Sequence, residues 1–364
     1  MPHLFSPLTL RSVTLPNRIA VSPMCTYAAD EGMANEWHLV HLGSRASGGA
    51  GLIIQEATAI TPDGRISPRD LGLWKDEQIE PQARINQFIH AQGAVSGIQI
   101  AHAGRKASCW APGTGHSGSL PVAEGGWATV APSALAFDSS YATPRALTGD
   151  EIQALVKAFA AAATRALAAG FRVLELHAAH GYLLHQFLSP FSNQRQDEYG
   201  GSFTNRVRFT LETVAAIRQV WPEELPLLVR VSATEWVEGG WSVQETLELS
   251  RLLRDAGVDL IDVSSGGGLP SAPIPLGPGY QTTLAERVRR EAGIASGAVG
   301  LITAAEQADH IIRTEQADLV LLGRELLRHP YWPLQAAAQL KTQVAWPNSY
   351  LRAAPAGSTE RIAL

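Results

Sequence analysis

Two histidines and a tyrosine stand in the spacing H-x-x-H-x-Y at His177, His180 and Tyr182, directly after the apolar run VLEL. Three chemistries fit that pattern: a pair of metal ligands, a satisfied pair of core histidines, or N–H donors aimed at a substrate oxygen. Zinc needs a third protein ligand and carboxylates behind it. Glu175 alternates with His177 but precedes the end of the run, and no H-E-x-x-H helix is present. Metal is therefore the weakest of the three, and the residues alone leave the other two open.

Other reactive types sit at the ends of similar runs. RIAVSPM ends in Pro23, Met24 and Cys25 with Tyr27 just beyond, GLIIQEA ends at Ala57, and VSGIQIAH carries Gln99 and His102. LPLLVRVSA carries Arg230, and DLVLLGREL carries Gly323 and Arg324. Singly, each has a plain structural explanation: Cys25 as a small buried hydrophobe, Gln99 bonding a neighbouring backbone, Arg230 pairing with Glu56 or Glu235. Collectively they do not, because an apolar interior gains nothing from a glutamine, an arginine and two histidines. Gly300 in VGLI and Gly323-Arg324 in LLGREL offer close backbone approach plus a planar guanidinium, which suits a phosphate. GGAG at Gly48 to Gly51 precedes a strand run instead of following it, the wrong order for a Rossmann phosphate loop.

These residues need a scaffold that gathers strand ends. Eight β-branched or apolar runs alternate with helical patterns: the five above, together with VLELHAA, LIDVSSGG and SGAVGLI. Thr148 and Glu151 form a capping-box pattern ahead of Ile152, Leu155, Val156 and Phe159, a helix predicted to stop at Gly170. Glycines at Gly93 and Gly257 close helices in the same way. The prediction is an α/β fold, a (β/α)8 TIM barrel, in which chemistry gathers at the C-terminal ends of the strands. Residues 1–17 are expected to form a hairpin over the barrel's N-terminal end, 103–147 a loop excursion after the third strand, and 341–364 a tail. The whole chain, 1–364, is read as one domain.

Composition narrows the classes. With 364 residues, 45% hydrophobic and 17% charged, the chain can bury a large core. A formal charge of -5 and scattered basic residues argue against nucleic acid. The longest apolar stretch, LVKAFAAAATRALAAGF, is broken by Lys157 and Arg165, so no membrane span is expected. The N-terminus lacks a secretory pattern, and two lone cysteines, Cys25 and Cys109, suit a reducing cytoplasm without a disulfide framework or iron–sulfur cluster.

The motifs NRIAVSPMCTYAADEGMANEWH, GAGLIIQEATAITPDGRIS, GIQIAHAGRKAS, LELHAAHGYLLHQFLSPFSNQRQDEYGGSFTNRVRF, VRVSATEW and DLVLLGRELLRHPYWP resemble the Old Yellow Enzyme family, and within it the bacterial thermophilic-like branch that includes xenobiotic reductases. The resemblance covers nearly the whole chain. It implies bound FMN, with NADPH or NADH as hydride donor, and reduction of the activated C=C bond of α,β-unsaturated carbonyl compounds. It would place Ser22, Pro23, Met24 and Ala57 against the flavin ring, Cys25 near N5 and O4 as a tuner of potential, and Gln99 on the pyrimidine edge. Arg230 would lie near N1 and O2, and Gly300, Gly323 and Arg324 at the phosphate. His177 and His180 would meet the flavin and the substrate carbonyl, Tyr182 would deliver a proton, and Tyr27 and Ile66 would line the substrate pocket. In PNSYLRAAP, Tyr350 and Arg352 match a tail whose arginine reaches a neighbouring subunit's site, which implies a homodimer or homotetramer; the aromatic residue that often follows that arginine is replaced by Ala353-Ala354. An iron–sulfur relative of the dienoyl-CoA or amine dehydrogenase type is excluded by the two lone cysteines and the length. A flavin-binding redox sensor without efficient turnover is the alternative from another class.

Overall fold

The computed structural model describes residues 1–359; the last residues of the expected tail, 360–364, lie outside the described residues. Among the described residues there are twelve strands, namely β1 Leu8–Leu10, β2 Val13–Leu15, β3 Ile19–Val21, β4 Leu52–Ala59, β5 Val95–Ala101, β6 Val130–Ala131, β7 Arg145–Ala146, β8 Val173–Ala178, β9 Leu227–Ser232, β10 Leu260–Ser264, β11 Ala295–Ala298 and β12 Leu319–Leu322. Eight of them close into a parallel barrel in the order β3, β4, β5, β8, β9, β10, β11, β12 and back to β3. Each coincides with one of the eight expected runs, except that β4 continues past its run to Ala59 and β11 begins one residue ahead of its run at Ala295. The strands are buried along their length, as parallel strands covered by helices on the outside and filled on the inside must be.

Side-chain alternation within each strand builds what lies inside. On β8, Val173 belongs to a cluster with the inward Leu52, Ile54, Val95, Leu228 and Leu260, whereas Leu174 and Leu176 pack in the larger core shared with the helices. A period of two then puts Glu175 and His177 on the inner face as well. By the same count β9 turns Leu228 and Arg230 inward, and β10 turns Leu260 and Asp262 inward. The interior is thus apolar at its N-terminal end and ionic toward the mouth.

The N-terminal end is closed by the hairpin. β1 and β2 pair antiparallel, Leu8 with Leu15 and Leu10 with Val13, and Leu10, Val13 and Leu15 join the inward cluster. The excursion after β5 has short 3-10 turns and one two-stranded ladder, β6 with β7. The capping box forms as expected: Thr148 caps the helix Gly149–Ala168, its side chain accepting from Glu151 N while Glu151 reaches back, and Ile152, Leu155, Val156 and Phe159 are buried. Gly170 follows that helix at φ +83, a left-handed turn that costs a glycine little.

Candidate active site

At the mouth, His177 ends the inner face of β8, and the chain turns at once through His180, whose φ of +58 is left-handed and costly for a residue with a Cβ. Three contacts hold it there. His180 N donates to Ser232 Oγ at 2.9 Å, Lys106 Nζ donates to the His180 carbonyl at 2.9 Å, and His180 Nε2 lies 2.7 Å from Ser264 Oγ. The loop after β10 passes so close that a Cβ on Gly267 would lie 2.7 Å from His180 Cα, which is why that neighbour has none.

The result is a compact trio. The His177 and His180 rings meet edge to face at 5.2 Å, and His177 meets Tyr182 at 5.1 Å. His177 is buried with Nδ1 unpartnered. Burial first, then the Arg230 cation, push both imidazoles well below their ordinary pKa, so each is neutral at pH 7 and carries one N–H. Burial likewise pushes the Tyr182 hydroxyl well up.

Beneath them lies a buried ionic layer whose members come from neighbouring strands in register. Gln99 is opposite Glu175, and His177, Arg230 and Asp262 align across β8, β9 and β10. Gln99 Nε2 donates to Glu175 Oε1 at 2.7 Å. Arg230 Nε sits 3.0 Å from Asp262 Oδ2, an ion-pair distance without the alignment of a good hydrogen bond, and Arg230 Nη1 donates to Ser22 Oγ at 3.1 Å. The partner expected for Arg230, Glu56 or Glu235, is therefore corrected to Asp262. Glu56 instead accepts from Thr26 N and from Thr26 Oγ1 at 2.9 Å and faces His38 Nε2 at 3.2 Å, which fastens the Cys25–Tyr27 turn to β4. Glu235 accepts from Ser189 Oγ and Trp241 N, both at 2.8 Å. Burial pushes Glu175 up to about 8, with Asp262 contributing, and Asp262 up to about 6 against the pull of Arg230.

On the β3 side, Cys25 is half-buried, and burial plus the carboxylates of Asp70 and Glu56 push its thiol well up, so it is no thiolate nucleophile at neutral pH. Tyr27 adopts φ +54 beside it. Ala57, Ile66 and Tyr182 line one small cavity. Asp70 shapes it by accepting from Ile66 N at 2.8 Å and Ser67 Oγ at 2.7 Å. His102 is structural: its buried ring accepts the Gly104 N–H at 3.0 Å, and burial lowers its pKa to about 4.

The expected phosphate residues meet across the mouth. Gly300, Gly323 and Arg324 line a cavity of about 230 Å³ together with Ser264 and Tyr280. Arg328 in the same wall is paired with Glu325, whereas the exposed Arg324 makes no ion pair among the described residues. A Cβ on Gly323 would lie 3.5 Å from Met24 Sδ, so the ends of β12 and β3 adjoin. A flavin mononucleotide fits this donor set: an unpaired arginine with two glycines for the phosphate, and Arg230 and Gln99 buried but only partly partnered for the ring.

Arg352 is not brought to this site within the chain. It is exposed in a turn, Asn348–Ala353, near the helix Trp332–Gln339, with Tyr350 6.1 Å from Tyr331. Sequence reasoning missed Lys106, Asp262 and Ser264 altogether and weighed Glu175 only as a carboxylate for a metal site, which it set aside. GRK following the third run was the one available signal for Lys106.

The family described as NADH:flavin oxidoreductase / NADH oxidase matches residues 3–343. An NADPH dehydrogenase of Halalkalibacterium halodurans is 48% identical over 356 residues, covering 97% of this chain and 99% of the relative. The NADPH dehydrogenase of Geobacillus thermodenitrificans is 48% identical over 351 residues, covering 96% and 98%. Among solved structures, morphinone reductase in complex with tetrahydroNAD superposes with a TM-score of 0.78 at 29% identity, covering 99% of this chain and 95% of that one. An old yellow enzyme homologue from Zymomonas mobilis gives 0.76 at 26% identity, covering 95% and 94%. Full-length likeness to dehydrogenases sets aside the sensor alternative. The chain belongs to the NADH:flavin oxidoreductase / NADH oxidase family, the Old Yellow Enzyme flavoproteins, and is an FMN-dependent NADPH oxidoreductase.

Proposed function

We propose that the enzyme is an ene-reductase that reduces the C=C bond of α,β-unsaturated aldehydes, ketones and maleimides. The observation that carries this reading is the edge-to-face trio of two neutral imidazoles and a tyrosine at the barrel mouth. When bound, FMN supplies a hydride at N5 and is recharged by NADPH in the same site. Pro23, Met24, Cys25 and Ala57 provide the surface under its ring, and Gln99, Arg230 and Ser22 its polar edge. Gly300, Gly323 and Arg324 hold its phosphate.

A carbonyl oxygen over that surface takes hydrogen bonds from His177 and from His180, which exchanges Ser264 for the substrate. Negative charge grows on that oxygen as the alkene is reduced, so donors fixed beforehand favour the transition state over the ground state. Neutral imidazoles suit the task because they lose no proton to the product. Tyr182 gives its proton to Cα. Its raised pKa keeps that proton in place until Cα has become strongly basic. Tyr27 and Ile66 bound the pocket, and Arg352 of a second copy completes it in a homodimer or homotetramer.

The test is anaerobic turnover of NADPH with 2-cyclohexenone by the purified holoenzyme, with the product identified by chromatography. Stoichiometric cyclohexanone is expected. Enone recovered intact, with NADPH consumed only once a quinone or air is admitted, would overturn the reading.

A further inference from the structure

Glu175 is fully buried inside the barrel, its Oε1 accepting from Gln99 Nε2 at 2.7 Å and its Oε2 without a partner. A carboxyl in that position costs stability, because a buried polar oxygen has lost water and gained nothing in return. Its neighbour Asp262, not Glu175, sits at ion-pair distance from Arg230. What Glu175 does contribute is direction. The two ends of a glutamine amide have nearly the same shape and opposite hydrogen-bonding sense, so only a partner decides which way it points.

We infer that Glu175 is a positioning residue for the cofactor: by engaging one N–H of Gln99 it fixes the amide so that the carbonyl oxygen and the remaining N–H form an acceptor–donor pair for an imide edge. A flavin pyrimidine has that edge, a ring N–H flanked by carbonyl oxygens. Turned over, the amide would set donor against donor and acceptor against acceptor, and both bonds would be lost. Burial and the nearby Asp262 hold the Glu175 carboxyl up to about 8, so it accepts from Gln99 without adding a full negative charge under the ring. The inference rests on the proposed place of Gln99 at the pyrimidine edge.

Four variants of the full chain separate the two claims: Q99L, E175L, E175Q and the double variant E175L/Q99L. Each apoprotein is titrated with FMN by fluorescence quenching, and the two-electron potential of the bound flavin is measured. Q99L and E175L are each expected to weaken FMN about tenfold and to shift the potential in the same direction. E175Q retains a neutral acceptor and is expected to stay within about threefold of wild type. The double variant is expected to bind within about twofold of Q99L, because Glu175 acts through Gln99. Losses that multiply in the double variant, or wild-type affinity and potential in E175L, would overturn the inference while leaving Gln99 in its place. Wild-type affinity in Q99L would instead overturn the place of Gln99. Should E175L fail to fold, E175A is measured in the same cycle with the same outcomes.

Discussion

Lys106 shows how one side chain outside the trio governs it. Its ammonium donates to the carbonyls of His180 and Gly267 and lies 5.1 Å from the Tyr182 ring centre and 4.6 Å from that of Phe137. Burial, helped by Arg105, lowers its pKa from 10.5 to about 8. The cation against the His180 carbonyl and the Tyr182 ring is therefore present at pH 7 and lost as pH rises through about 8, so the second-order rate constant for enone reduction should fall over that range. Lys106→Met should be about tenfold slower below pH 7 and flat across that range, so that the two rates converge above it; an unchanged inflection would show that another group titrates. Stability moves the opposite way. The unfolded chain binds this proton more tightly, so the Lys106 contribution to folding rises between about pH 8 and 10.5.

At the scale of elements, secondary structure was legible in the sequence to the extent that it depends on local pattern. Strands such as LLVRVS and LIDVS are short, largely β-branched and apolar runs bounded by turn residues, and the Thr148–Glu151 box announces its helix without reference to anything distant. That box makes an element-level prediction: Thr148→Ala removes the bond to Glu151 N and should cost about 1 kcal/mol in urea unfolding, with turnover unaffected. A loss under about 0.3 kcal/mol would mean that tertiary packing, not the cap, sets this helix end. Partnerships between strands were less legible. Arg230 finds Asp262 and Gln99 finds Glu175 only because parallel register aligns them, and register over such separations leaves no mark in local spacing. Ser264 likewise looked like an ordinary strand residue until the fold placed it against His180, and Glu56, expected only as a partner for Arg230, lies against Thr26. The mouth residues were easier to find, since a cluster of polar types at strand ends is conspicuous in an otherwise apolar pattern.

For the molecule as a whole, the barrel divides its labour along its axis. The hairpin residues Leu10, Val13 and Leu15 join the inward cluster and close the apolar end, while the ionic layer and the histidines occupy the other. Leu15 is fully buried, so Leu15→Ala should cost about 3 kcal/mol of stability and leave kcat for enone reduction unchanged below the unfolding transition. A matching fall in kcat would mean that the two ends are mechanically coupled. Under the proposed ene-reductase reading, nicotinamide and enone would take turns at that one mouth.

The central claim, that the paired imidazoles receive the substrate oxygen, is tested most directly by stopped-flow reoxidation. Wild-type enzyme and the His177→Ala/His180→Ala variant are reduced anaerobically with one equivalent of NADPH and mixed with 2-cyclohexenone while flavin absorbance is followed. Rapid reoxidation is expected in the wild type and a rate at least about 100-fold lower in the variant, with FMN still bound and the NADPH half-reaction less affected. Equal reoxidation rates in the two proteins would contradict it.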